Sequence, residues 1–198
     1  MFINASNFKK LCKNAYEGIG LRVACTEKEE YIISCDWWQL KVHKDDITKK
    51  VIAAVVEIVG MFPEPGAAVL FKKGVENQSI ANVFPNLTDL WDRMDPYEIS
   101  NVIIKTPGTP SHILAGPEEN ILIPGTILQV IDASKKEKEE SDPGDPRSSK
   151  EYNWVVWQNN VMTFGCWKRQ PRFIGEKEFM ERIQGTDLVW DWKESDCI

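Results

Sequence analysis

The chain has 198 residues, 42% of them hydrophobic, and a net charge of -6. That length suits one large domain, or a domain with an appended subdomain, and the composition excludes wholesale disorder. No Lys/Arg-rich run marks a non-specific binder of nucleic acid, no apolar run approaches the roughly 20 residues of a membrane span, and MFINASNFKK lacks the basic and apolar regions of a signal peptide, so the expected location is the cytoplasm.

In chain order, Ser6 or Asn7 caps a helix over 8–16 whose Phe8, Leu11, Cys12 and Ala15 share a face, and Gly18 and Gly20 end it. Residues 21–26 and 30–35 read as strands joined by the polar turn Glu27-Lys28-Glu29. The sheet continues over 37–43, with Trp38, Leu40 and Val42 on one face. DDITKKVIAAVVEIVG is the clearest helix: Asp45 is its N-cap, Ile47, Val51, Val55 and Ile58 form its stripe, and Gly60 its stop. Residues 67–72 form a strand, 86–94 a short helix and 99–105 a further strand.

EENILIPGTILQVID follows: two carboxylates, an apolar run, Pro124-Gly125, and a second apolar run. Pro at the second and Gly at the third position suit a type II turn between two strands. Residues 134–151 carry no large apolar side chain and read as a charged loop or linker. Beyond it, 153–158 and 161–167 form a hairpin across Asn159-Asn160, where Asn tolerates the positive φ of a tight turn. A helix over 176–183 and a closing strand over 188–192 complete the chain. The fold class is α+β, with mixed or antiparallel sheets and a few peripheral helices, because strands and helices do not alternate regularly. The organisation is an α+β domain over 1–133, the linker 134–151, and a hairpin, helix and strand section over 152–198 packed on the first domain.

Candidate chemistry is sparse. The two His, His43 and His112, belong to no zinc motif, and no Walker loop, GxGxxG or GxSxG is present. His43 beside Asp45 and Asp46 reads as a polar strand end rather than a general base. The five Cys have no CxxC spacing and read as free, mostly buried thiols; Cys35 has no partner base. Eight Trp are many for this length, and Trp154, Trp157, Trp167, Trp190 and Trp192 cluster near the C-terminus. They pack the core of that section or offer a wall to a partner.

Glu118 and Glu119 stand where a strand begins. The stretch from Glu118 through Pro124-Gly125-Thr126 to Val130 resembles the catalytic-glutamate region of the ADP-ribosyltransferases, in which Glu-x-Glu precedes an apolar strand, Pro-Gly-Thr and a further strand. Leu70 to Val75 resembles the strand ending in Arg-Gly, and Val83 to Thr88 the strand bearing Ser-Thr-Ser. The resemblance covers 67–132. It implies NAD chemistry, with Glu118 and Glu119 catalytic and Lys73, Asn86 and Thr88 on the cofactor. The chain departs from the motifs. Asn120 stands where the catalytic Glu belongs, Lys73 replaces an Arg that would grip phosphate in bidentate fashion, and Asn86-Leu87-Thr88 replaces Ser-Thr-Ser.

These readings converge on a non-catalytic protein that needs no cofactor and acts by binding another protein, with Trp154, Trp157 and Trp190 as its contact surface. The alternatives are an NAD-dependent ADP-ribosyltransferase or NAD glycohydrolase, and an accessory or inhibitor protein of a mobile genetic element.

Overall fold

The first element is the amphipathic helix the spacing predicts. In the computed structural model of the chain, which describes residues 1–81, 83–105, 110–131 and 142–189, α1 (Ala5–Glu17) buries Phe8, Leu11, Cys12 and Ala15. Its cap is Asn4, not Ser6 or Asn7: the Asn4 side chain accepts the Asn7 N–H at 3.1 Å. Three antiparallel strands follow, β1 (Leu21–Cys25), β2 (Glu30–Ser34) and β3 (Trp38–His43). The turn between the first two places Glu29 at φ 58°. Helix α2 (Lys49–Val59) starts later than its apolar stripe suggests. Thr48 holds the N-cap position, Asp45 and Asp46 form the preceding turn, and Gly60 ends the helix at φ 87°.

Strand β4 (Ala68–Phe71) returns beside β1, and the two-residue β5 (Gln78–Ser79) borders it. Helix α3 (Leu87–Trp91) and the short β6 (Asp95–Pro96) lead to β7 (Glu98–Ile104), β8 (Ser111–Ala115) and β9 (Ile121–Pro124). One turn of helix, α4 (Gly125–Leu128), comes next. The last elements among the described residues are β10 (Arg147–Ser149), β11 (Tyr152–Gln158), β12 (Met162–Trp167) and α5 (Ile174–Arg182).

Among the described residues the strands form two sheets, which makes the fold α+β. The larger, with order β5-β4-β1-β2-β3-β12-β11-β10-β6, has nine strands; the smaller is β7-β8-β9. Every pairing between these strands is antiparallel. Because side chains alternate along a strand, the large sheet splits into two faces. The inner face carries Val23, Ile33, Trp38, Leu40, Val42, Val155, Trp157, Met162 and Phe164, and packs against α1 and α2. The small sheet adds Leu114, Ile121 and Ile123 to the same core. The outer face is crossed by residues 84–94: Gln39 donates to the Pro85 carbonyl at 3.0 Å, and Leu87 settles over Gly165. A Cβ on Gly165 would lie 2.8 Å from Leu87 Cδ1, so a larger residue there would displace the Leu87 side chain. The far face of the small sheet, Ile113 and Leu122, is covered by Met180 and Ile183 of the α5 end and by Leu188.

Four local expectations need correction. The second half of ILIPGTILQVI is not a strand. Gly125 is not left-handed, so no type II turn forms, and Ile127, Val130 and Ile131 are buried at i, i+3 and i+4, a helical spacing that apolar content alone conceals. The strand partner of β9 lies upstream, in β8. In the β11–β12 hairpin neither Asn adopts positive φ; instead the Asn159 side-chain oxygen accepts both the Val161 and the Met162 N–H at 3.1 Å. Leu188 is buried without belonging to a strand, and residues 190–192 lie outside the described residues. Within the charged stretch 134–151, residues 147–149 form β10, with Ser148 fully buried.

Candidate functional site

The entrance to β9 is fixed by hydrogen bonds to the end of α5. Asn120 N–H donates to Gln184 Oε1 at 3.1 Å, Asn120 Nδ2 to the Ile183 carbonyl at 3.0 Å, and Gln184 Nε2 to the Glu118 carbonyl at 3.0 Å. This clamp orients the two neighbouring carboxylates. Glu119 accepts from Lys168 Nζ at 2.8 Å, and the same ammonium donates to the Ser149 carbonyl at 2.6 Å. Lys168 is 9% exposed, so its charge needs both partners. Glu118 is more exposed and meets Lys150 at 3.6 Å. Beside them Arg169 grips Glu176 in bidentate fashion at 2.7 and 3.2 Å, and Glu176 also accepts the Arg172 N–H at 2.6 Å. The Arg169 hydrogen bonds hold the Glu176 carboxyl below its usual range against the opposing effect of burial, and the Arg172 N–H lowers it further.

A cleft of about 380 Å³ opens over this network, lined by Glu119, Asn120, Lys150, Tyr152, Lys168 and Arg169 among others. Its ionic groups are largely matched, carboxylate to cation. Glu119 ties the small sheet to β12 and β10 through Lys168, and Arg169 reinforces the join by donating its N–H to the Leu122 carbonyl at 2.8 Å. Under the cleft Tyr97 is fully buried against Gly116; burial, then Glu119, Asp95 and Glu118, push its phenol up to about 12.

The residues named from the family resemblance do not meet. Glu119 lines this cleft, and Glu118 precedes it outside the lining. Lys73 follows β4 and pairs with Glu17 at 3.1 Å. Asn86 stands before α3, exposed and without a side-chain cap bond. Thr88 approaches Thr163 at 3.4 Å between their hydroxyls, on the outer face of the large sheet. No one ligand reaches all of them, and the strand that should follow Pro-Gly-Thr is helix α4.

The tryptophans divide sharply. Trp157 is 1% exposed, in the core, and cannot be a contact surface. Trp154 is half-buried on the opposite face and meets Trp167 edge-on at 6.3 Å between ring centroids. Trp190 lies outside the described residues. Trp167, which the sequence groups with the others without singling out, is 42% exposed, although the rest of β12 is buried. Trp91, Tyr152 and Trp154 pack together around Leu87, Met94 and Val156. Arg147 lies over the Trp91 ring at 4.6 Å.

The remaining candidates keep their plain roles. His43 Nδ1 lies 3.7 Å from the exposed Asp45 carboxylate at the end of β3. Burial pushes the Cys35 thiol up to about 11, which leaves it a poor nucleophile at neutral pH. Among the described residues no group of three or more His, Cys, Asp or Glu could hold a metal, and no helix is long and apolar enough to cross a membrane.

No family model matches the chain, and no curated protein does. It is similar to solved structures of bacterial sliding clamps. A putative DNA polymerase III beta subunit from Eubacterium rectale has TM-score 0.38 at 11% identity, with 89% of this chain and 66% of that chain covered. The DNA polymerase sliding clamp from Bacillus subtilis has TM-score 0.37 at 10% identity, covering 86% and 64%. The clamp from Pseudomonas aeruginosa has TM-score 0.38 at 11% identity, covering 89% and 66%. The chain therefore spans just under two thirds of the length of the clamp chains it matches, and a likeness this loose says nothing of activity. The resemblance to ADP-ribosyltransferases is corrected: no family model or curated protein bears it out, the motif residues are scattered, and the segment after Pro124 is helix α4.

Proposed function

We propose that this chain is a non-catalytic binding module whose partner is another protein, docked on the outer face of β10–β12. The observation that supports this reading is the exposure of Trp167. A strand whose other five residues are buried ends in an indole that is 42% open to water and braced edge-on by Trp154. Trp91, Tyr152 and Arg147 continue the same patch. Single exposed apolar residues are ordinary. A contiguous group of Trp, Tyr and Arg, packed against one another in the free protein, has the composition of an interface hot spot. Side chains already placed lower the ordering cost of association. The reading requires no cofactor, and it leaves Glu118 and Glu119 as ionic struts of the join between the sheets.

The test compares quantitative capture from a native extract by the wild-type chain and by Trp167→Ser, with circular dichroism and the thermal midpoint as folding controls. The expected result is at least one protein that wild type retains and the folded variant loses. Identical capture by both would remove the patch as a docking surface.

A further inference from the structure

A second cleft lies between α1, the β8 and β9 ends, and residues 169–172; it shares Arg169 with the first, and the Trp37 carbonyl at its end accepts the Trp167 N–H at 2.8 Å. Its volume is about 450 Å³, within the range of small-molecule sites. Helix α1 contributes Asn7, Lys10, Leu11 and Asn14, whose i, i+3, i+4, i+7 spacing sets them in one row. The opposite wall carries Arg169 and Arg172, and the ends carry Trp37, Ser111 and Gln129.

The lining is asymmetric in charge. Arg169 is neutralised by Glu176. The Arg172 guanidinium is exposed and makes no hydrogen bond or ion pair among the described residues, though its charge also acts on Glu176. The exposed ammonium of Lys10 has only the Asn7 amide oxygen, at 3.5 Å. Two cations thus face the cleft with no carboxylate among its described lining residues, and the nearby Glu176 carboxylate is engaged by Arg169. Ser111 is 0% exposed, and its hydroxyl has no hydrogen-bond partner, an unusual state for a buried polar group. The Asn14 and Gln129 amides likewise form no hydrogen bond among the described residues. Trp37 is half-buried and supplies a ring without an aromatic neighbour.

From these groups we infer that the cleft binds a nucleoside monophosphate. The phosphate is held by Lys10 and Arg172, whose charge-assisted contacts suit a compact dianion. The base lies against Trp37, since every base presents a π-face to an indole. The Asn14 and Gln129 amides and the Ser111 hydroxyl serve the polar edges of base and ribose. No bond is made or broken, and the site does not depend on the protein-docking role proposed for Trp167.

The test is calorimetric titration of the full chain with adenosine monophosphate, uridine monophosphate, adenosine and inorganic phosphate, alongside thermal midpoints. The expected result is binding of both monophosphates, with adenosine and inorganic phosphate each at least roughly tenfold weaker, the loss of one contact class. Arg172→Ala and Lys10→Ala each weaken the monophosphates by roughly tenfold. Arg172→Ala should fold, because the side chain it removes is exposed and unbonded. Ser111→Ala leaves the ligand-free midpoint unchanged or raises it, since it deletes an unsatisfied hydroxyl, and still weakens binding. Trp167→Ser leaves the affinity unchanged. Absence of heat and of a midpoint shift at about 5 mM nucleotide, or equal affinity in Arg172→Ala, overturns the proposal. Inorganic phosphate binding as tightly as the nucleotides overturns it equally, because the ring would then contribute nothing.

Discussion

Gly116 faces the Tyr97 ring so closely that an added Cβ would lie 2.1 Å from Cε1 and 2.3 Å from Cζ. A ring fully buried beneath the site cannot swing aside as the tip of a flexible side chain can. Gly116→Ala is therefore expected to cost about 3 kcal/mol, the upper range for overpacking a dense interior, read as a lower urea midpoint at unchanged slope. The tryptophans give the opposite lesson in the same measurement. Trp157→Ala removes a core side chain and should cost about 3–5 kcal/mol. Trp167→Ala loses an edge-on contact and little burial, and should cost about 1 kcal/mol or less. Equal losses would mean that Trp167 is packing rather than surface, and the docking proposal would lose its footing. The sequence names both residues as tryptophans on strands. It does not say which face of the sheet is left uncovered, because that depends on where the 84–94 strap ends.

At the scale of elements, α1 tests how far local signals reach. The Asn4 side chain caps Asn7, and the Asn4 N–H donates to the Val130 carbonyl at 2.8 Å, so one residue both starts the helix and anchors it to the chain after α4. Asn4→Ala should lose about 1 kcal/mol through the cap alone, since the backbone bond survives. Asn4→Asp, which can still accept, should recover most of it; no difference between the two variants would remove the cap from the account. Strands β1 to β3 and the β11–β12 hairpin were legible as runs of β-branched and aromatic residues between turn residues, although β1 and β12 are buried along nearly their whole length. The buried stripe of α1 was legible because one face is wet and the other dry, so the period of its buried positions announces the element. Helix α4 was not, because Ile127, Leu128, Val130 and Ile131 are apolar nearly without interruption, and a short run of that kind fits helix and strand alike. Strand β10 was hidden by composition. Arg147, Ser148 and Ser149 carry no apolar signal, and they form a strand because the β11 edge offers them backbone partners. The candidate site was legible only in part. Glu119 lines a cleft, but Lys168 and Lys150, which pair with Glu119 and Glu118, are far along the chain, and no spacing rule joins them.

For the whole molecule the join between the two sheets adds an ionic network to the apolar core they share. Glu119 reaches Lys168, Lys168 reaches the Ser149 carbonyl, and Arg169 reaches both the Leu122 carbonyl and Glu176. The Arg169 and Glu176 side chains are 7% and 6% exposed, so this pair has left water. A buried pair adds little over an apolar substitute, but breaking it strands the survivor; Glu176→Gln should therefore cost about 3 kcal/mol at neutral pH. The pH dependence fixes the cause. Arg169 holds the Glu176 carboxyl below the range it has in the unfolded chain, about 4.3. Between those two values the unfolded chain binds more protons than the folded one, so stability rises with pH across the window. The contribution is complete above the unfolded value and disappears as pH falls through the folded one. Urea midpoints followed from pH 7 to pH 3 should show the gap between wild type and Glu176→Gln constant at first, then closing as the acid window is crossed. The other carboxylates titrate in both proteins and cancel from the difference. A gap that stays constant to pH 3 would show that Glu176 acts through shape alone and that the join does not depend on its charge.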